Sequence, residues 1–272
     1  MRPSAARSHP RSSNASKQRG SSTSAPNVVS ERVLVCTSYP PAWGELAAVT
    51  NATHQRWAER HGYTYVADCS ERLWPARSPE WGAKTGDVMP IRSFIKLDLL
   101  VHFLESNDFT WVVWLDSDQL ITNYEIPIAR WTGEIAPYRR ERDGRTSGAD
   151  VVLPYDYNGN NSTTIVVRNT DAAYNYLWSS NDAGRTMFLR HDWAEMEALL
   201  RFRLAPPFDG IVHAVSAKEL CALHPGAYAP LPARRTAAYE WAPGDFSVHL
   251  AALPLAKRIE LARHYAEALN LL

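Results

Sequence analysis

Five consecutive apolar residues, Trp111 to Leu115, are followed at once by Asp116, Ser117 and Asp118. A short continuous apolar run bounded by polar residues reads as a buried β-strand. The rest of the chain has to supply the layers that bury it. Further strand-like runs fall at 32–37, 63–67, 151–153, 164–167 and 246–249. Between them the apolar spacing turns helical over 44–61, 91–104, 170–180, 192–204 and 255–269, with Gly62 as the expected stop of the first helix. Strands alternating with helices predict an α/β fold with a mainly parallel central sheet. Residues 70–90 and 132–148 are rich in proline, glycine and polar residues and read as loops.

Composition bounds what such a chain can be. Its 272 residues, 45 % hydrophobic and 21 % charged, suit one large domain or two small ones. The 29 basic and 29 acidic residues cancel, but residues 1–30 hold five of the basic ones and no acid. Residues 31–272 therefore carry 24 basic against 29 acidic groups, net −5, which argues against a nucleic-acid partner. The Ser- and Arg-rich segment 1–30 reads as a disordered tail or, by composition, a targeting peptide, leaving 31–272 as the folded domain. No run of about 18 apolar residues exists, so no membrane span is expected in this chain. Cys36, Cys69 and Cys221 form no CxxC pair. That excludes a Cys-rich zinc site and favours three free core thiols over one disulfide.

The chemistry concentrates where the first-named strand ends. In open α/β sheets ligands bind outside the carboxyl ends of the strands. On an extended chain residues two apart share a side, so Asp116 and Asp118 can present oxygens to one hard divalent cation. Mn²⁺ or Mg²⁺ shared with a diphosphate suits such an oxygen-rich set. A DxD of this kind is by itself more often a turn, and its position after the apolar run is what lifts it. His249 ends the last strand-like run, beyond a Pro-Gly turn. Alone it reads as a core histidine, and together with the aspartates as a third ligand.

Five stretches, in order over about 32–265, carry a resemblance: Asn51–Tyr63, Phe94–Leu100, Trp111–Asp118, Asn161–Asn169 and Trp241–His249. The chain resembles the galactosyl/mannosyl/xylosyl transferases of glycosyltransferase family thirty-four. The resemblance implies the GT-A (nucleotide-diphospho-sugar transferase) fold as a single Rossmann-like domain. It implies Mn²⁺ held by Asp116, Asp118 and His249, with Ser117 between them. Thr37, Ser38 and Tyr39 match the nucleoside-holding loop, Lys96 a donor-facing lysine, Asn161 a sugar-side asparagine, and Glu195 an acid near the reaction centre. Ala252 stands where the family has a phosphate-contacting glycine, and Pro254 where some members have lysine, so Lys257 or Arg258 is expected to reach the phosphates. Met196 replaces a family glutamine and Thr163 a glycine.

The implied reaction moves a hexosyl or pentosyl unit from a nucleotide-sugar, UDP-linked by expectation, to a glycan hydroxyl with retention. The alternative is a catalytically silent nucleotide-sugar or glycan-binding subunit of a transferase complex. Homo- or hetero-oligomers with other transferases are compatible with both. The family works in the Golgi lumen behind a membrane anchor. No anchor or secretory signal is visible here, so Golgi, organellar and soluble cytoplasmic locations all stay open. Trp57, Trp111 and Trp114 are expected in the core, with Trp74, Trp81 and Trp131 as candidate acceptor platforms.

Overall fold

The computed structural model describes residues 31–69, 93–134, 139–140, 146–147, 149–188, 194–227 and 236–272. The strands are β1 (Val33–Ser38), β2 (Thr64–Asp68), β3 (Trp111–Leu115), β4 (Gln119–Ile121), β5 (Arg139–Arg140), β6 (Thr146–Ser147), β7 (Val151–Asp156), β8 (Gly159–Asn160), β9 (Thr164–Arg168), β10 (Val212–Ser216), β11 (Ala222–Leu223) and β12 (Ser247–His249). The α-helices are α1 (Gly44–His61), α2 (Ile95–Glu105), α3 (Asp171–Met187), α4 (Ala194–Arg203), α5 (Ala217–Leu220) and α6 (Leu255–Ala268).

The main sheet has the order β10-β7-β9-β3-β1-β2, with β8 attached to β7. β1 pairs in parallel with β2 and β3, and β10 with β7. β9 runs antiparallel to both of its neighbours, β3 and β7. The chain reverses through the β7–β8 pairing just before it. The sheet is therefore mixed: along the six-strand path three of the five pairs are parallel, as the alternation of strands and helices predicts.

Period-two alternation sorts the strand side chains onto two faces. Leu34, Cys36, Val112, Trp114, Ile165 and Val167 pack with residues of α2, α3 and α4. Val33, Val35, Trp111, Val113, Leu115 and Val166 pack with Trp57 and Ala58 of α1, Ala217 and Leu220 of α5, Trp131 and Phe246. A fully buried side chain of this size contributes about 1.5–3 kcal/mol, so both layers are needed to hold β3 inside. A third cluster joins Leu46 of α1, Leu120 of β4, Val248 and Leu250 around β12, and Ala262 and Tyr265 of α6. It fixes the small sheet β11-β12-β4 beside the main one.

Local signals set most helix ends. Gly62 takes φ +70°, and its N–H reaches the carbonyls of Ala58 and Glu59, closing α1 where expected. Thr170 caps α3 by accepting the Ala173 N–H. α3 runs to Met187, past the expected end at 180, because its late glycine is a packing device. A Cβ on Gly184 would stand 2.6 Å from the Ala198 Cβ of α4, so glycine lets the two helices touch.

Several expectations need correction. Trp131 is buried against Phe246, ring centroids 4.7 Å apart, and is a core residue rather than an acceptor platform. Trp57, Trp111 and Trp114 are core residues as expected. Cys36 and Cys221 are buried free thiols, but Cys69 is an exposed one. Trp74, Trp81 and the tail 1–30 lie outside the described residues. Among the described residues no helix is long and apolar enough to cross a membrane.

Candidate active site

Main-chain bonds bring the three proposed ligands together. β3 ends at Leu115, and the Asp116 N–H donates to the Thr163 carbonyl at 2.9 Å, just ahead of β9. The turn 116–118 is held from above by α1, where the Thr50 hydroxyl donates to the Ser117 carbonyl at 2.9 Å. Ser117 itself is buried. β4 then pairs antiparallel with β12, which sets His249 opposite Gln119, and the Leu250 N–H donates to the Asp118 carbonyl at 3.0 Å. Ligand atoms of Asp116, Asp118 and His249 all lie within 4.8 Å of one another. Two carboxylates and an imidazole at that spacing fit a divalent ion of the Mn²⁺ or Mg²⁺ type.

The two aspartates have different surroundings. The Lys96 ammonium sits 2.9 Å from Asp116 Oδ1 and 3.6 Å from Glu195 Oε1. It also donates to the carbonyl and the hydroxyl of Ser162, each at 3.1 Å. Trp114 Nε1 donates to Asp116 at 2.6 Å, and the Ser162 hydroxyl donates to Glu195 at 2.8 Å. Burial pushes the Asp116 carboxyl above its usual range; Lys96 opposes this without cancelling it, and Asp118 adds to it. Burial acts on Glu195 in the same sense, but Lys96 and the hydroxyls of Ser93 and Ser162 outweigh it and keep the acid ionised. For Lys96 burial would favour the neutral amine, and Asp116 and Glu195 override it and hold the charge.

Asp118 faces the other way. Its Oδ1 lies 3.4 Å from His249 Nε2, and its Oδ2 accepts from Arg258 Nη1 at 2.7 Å. Burial alone would raise its pKa, but His249, Arg258 and Lys96 prevail and hold it below the carboxylate range. Thr163 Oγ1 lies 3.2 Å from His249 Nδ1, so the threonine that stands in place of glycine supports the imidazole.

The remaining expected residues divide. The hydroxyls of Thr37 and Ser38, at the carboxyl end of β1, are buried without a hydrogen-bond partner. Buried polar atoms are normally paired, so this pair is available to a polar ligand. Tyr39 follows them, half-buried, with its N–H bonded to the Asp68 carbonyl. Asn161 is buried and already engaged: its amide donates to Asp156 at 3.0 Å and its carbonyl accepts the Thr163 N–H at 2.8 Å. Ala252 takes φ +59°, the left-handed region that favours glycine. Lys257 is exposed and pairs with Glu260 at 2.5 Å, so it is not brought to the site. Of the two cations weighed from sequence, Arg258 is the one that arrives. It lies one residue further round the first turn of α6, and the helix repeat turns it inward.

These features sit on the fold of GT-A glycosyltransferases. The chain superposes on a glycosyltransferase involved in glycosylation of the major capsid of the virus PBCV-1, with TM-score 0.60 and 15 % identity, over 86 % of this chain and 99 % of that one. The bifunctional glycosyltransferase WbbM, in its apo form, gives TM-score 0.51 and 11 % identity over 89 % of this chain and 50 % of that one. At such identities the likeness is one of fold. No family model matches the chain, and no curated protein matches it in sequence.

Proposed function

We propose that the protein is a metal-dependent glycosyltransferase of the galactosyl/mannosyl/xylosyl type, moving a hexosyl or pentosyl unit from a nucleotide-sugar, UDP-linked, to a glycan hydroxyl with retention. The observation that carries it is the convergence of Asp116, Asp118 and His249 at the end of β3 in a GT-A fold. A divalent ion there would neutralise charge developing on the leaving diphosphate. Thr37, Ser38 and Tyr39 would hold the nucleoside. Lys96, fixed by Ser162 and Glu195, would face the donor as a positioned cation. Asn161 would present its surroundings to the sugar rather than a free amide. Glu195, ionised by its pairing with Lys96, cannot donate a proton and would act as a buried negative charge near an oxocarbenium-like transition state. The acceptor oxygen attacks the anomeric carbon, the bond to phosphate breaks, and the departing phosphate oxygen takes the acceptor proton. No second carboxylate in glycosidase geometry is required.

The second reading is a nucleotide-sugar or glycan-binding subunit without turnover. One observation favours it: each aspartate already carries a resident cation, Lys96 or Arg258. Release of UDP or GDP from a panel of nucleotide-sugars with Mn²⁺ separates the two. Turnover is expected, and Asp118→Ala should cut it by roughly 100-fold or more, as loss of a transition-state charge partner does. Nucleotide binding with no turnover on any donor would sink the enzyme reading, and full Mn²⁺-dependent activity in Asp118→Ala the metal assignment.

A further inference from the structure

Arg258 is the site residue that the expected pattern least explains. Its backbone N–H bonds to the Pro254 carbonyl at the first turn of α6. Its side chain folds back over three partners. Nε donates to the Leu253 carbonyl at 2.8 Å, Nη1 donates to Asp118 Oδ2 at 2.7 Å, and the guanidinium lies 4.9 Å from the Trp43 ring centre. The Arg258 side chain is 15 % exposed and that of Asp118 9 %, so this pair is largely out of water.

Lys96 makes a useful contrast. It has two anionic partners and two bonds to Ser162, and it would keep Glu195 and Ser162 if Asp116 turned to a metal. Among the described residues Arg258 has a single anionic partner, and that partner is a proposed metal ligand. Charge arithmetic points the same way. Asp116, Asp118 and Glu195 give three negative charges against the two positive charges of Lys96 and Arg258, net −1 over these five groups. A dication entering alone reverses that sign in a buried place and sets itself beside a guanidinium on the same carboxylate. An anionic diphosphate entering with it restores the sign and offers Arg258 a new partner. Guanidinium binds phosphate oxygens through the same fork that binds carboxylate.

We propose that Arg258 is a resident counter-cation of Asp118, which a divalent ion has to displace and which a bound diphosphate takes over, so that metal and nucleotide bind cooperatively. The inference rests on the metal-site reading above. Arg258 reaches Asp118 from the first turn of α6, just beyond the loop that follows His249. By linkage, whatever factor UDP adds to Mn²⁺ affinity, Mn²⁺ adds to UDP affinity.

The experiment is a Mn²⁺ titration read by the electron paramagnetic resonance of the free ion, with and without saturating UDP. The full chain is used as wild type, Arg258→Gln, Arg258→Lys and Asp118→Asn. One charge-assisted bond sets the scale at about tenfold. Arg258→Gln should bind Mn²⁺ alone about tenfold more tightly than wild type, and the gain that UDP confers should shrink by about the same factor. Arg258→Lys keeps the charge and should stay near wild type. An Arg258→Gln affinity for Mn²⁺ alone that is equal to or weaker than wild type overturns the inference, and so does an unchanged gain from UDP. Asp118→Asn keeps this outcome distinct from failure of the underlying reading. If Asp118→Asn binds Mn²⁺ as wild type does, or if no form binds Mn²⁺ even with UDP, the metal site is misassigned and the inference falls with it. Should a melting curve show Arg258→Gln unfolded, Arg258→Met, which keeps the aliphatic stem over Trp43, is read by the same criteria.

Discussion

The Asp116 half and the Asp118 half of the site use the same residue type two positions apart, yet they are built differently. Around Asp116 the partners come from long elements and their ends: Lys96 from α2, Ser162 ahead of β9, Glu195 from α4. The result is a closed network in which every charge has more than one partner. Around Asp118 the partners come from the three-residue strand β12 and from the first turn of α6. There Arg258 has Asp118 as its one anionic partner among the described residues, and the loop between them contains a strained Ala252. Lys96 and Glu195 tie the first half into the core, while Asp116 itself keeps an exposed edge. The second behaves as a joint whose contacts can be exchanged for a ligand's. The opposite displacements of the two carboxyl groups express the same difference, Asp116 raised by uncompensated burial and Asp118 lowered by nearby positive charge.

Lys96→Met tests the closed network most severely. It leaves the buried Glu195 and the partly buried Asp116 without their common cation. Breaking one partner out of a buried ion pair costs about 3–5 kcal/mol. Urea unfolding should show a loss of that size, and a loss below 1 kcal/mol would mean the network is not structural.

His54 sharpens the comparison from behind the Asp118 turn. It is fully buried in α1, its Nε2 bonds to the Gln119 carbonyl at 2.7 Å, and its Nδ1 has no partner. Burial pulls its pKa from 6.5 down to about 4, against the opposing pull of Gln119 and Asp118. The folded state thus holds the neutral ring while the unfolded chain takes up a proton. The stabilisation is complete above pH 6.5 and is lost as pH falls towards 4, amounting to about 3 kcal/mol across the window. Melting curves between pH 7 and 4 should flatten in His54→Gln, after allowance for its lower starting stability. An identical acid slope in that variant would place the proton uptake elsewhere.

Ala252→Gly relaxes the joint. A left-handed alanine costs roughly 1–2 kcal/mol, and the added freedom of glycine in the unfolded chain returns part of it. A net gain of about 0.5–1 kcal/mol is expected by denaturant unfolding, with UDP binding equal or tighter. A loss of stability would contradict the backbone strain. The smallest effect belongs to Lys257→Ala. Because Lys257 points to Glu260 at the surface, UDP affinity and stability should both stay within about 0.5 kcal/mol of wild type. A tenfold loss of UDP affinity would restore the expectation that the sequence alone suggested for it.

Local patterns in the chain set the long elements and the residues that bound them. Five apolar residues at 111–115 have only one place to go, and the aspartates after them must emerge at a strand's carboxyl end. Gly62 and Thr170 carry their helix-end roles in their own conformational and hydrogen-bonding preferences. These signals are local, so they survive without the rest of the chain. β4 and β11, at three and two residues, carry no period that could be counted, and β9's reversal depends on which strands it finds as neighbours. The extension of α3 past residue 180 shows only once Ala198 stands against Gly184. Trp131 reads as an exposed ring until Phe246 covers it. The same holds for the site: Asp116, Asp118 and His249 were legible as types and spacings, but the choice of Arg258 over Lys257 was not. Adjacent residues on a helix point about 100° apart, and only the packing of α6 against α1 and the small sheet decided which of the two met Asp118.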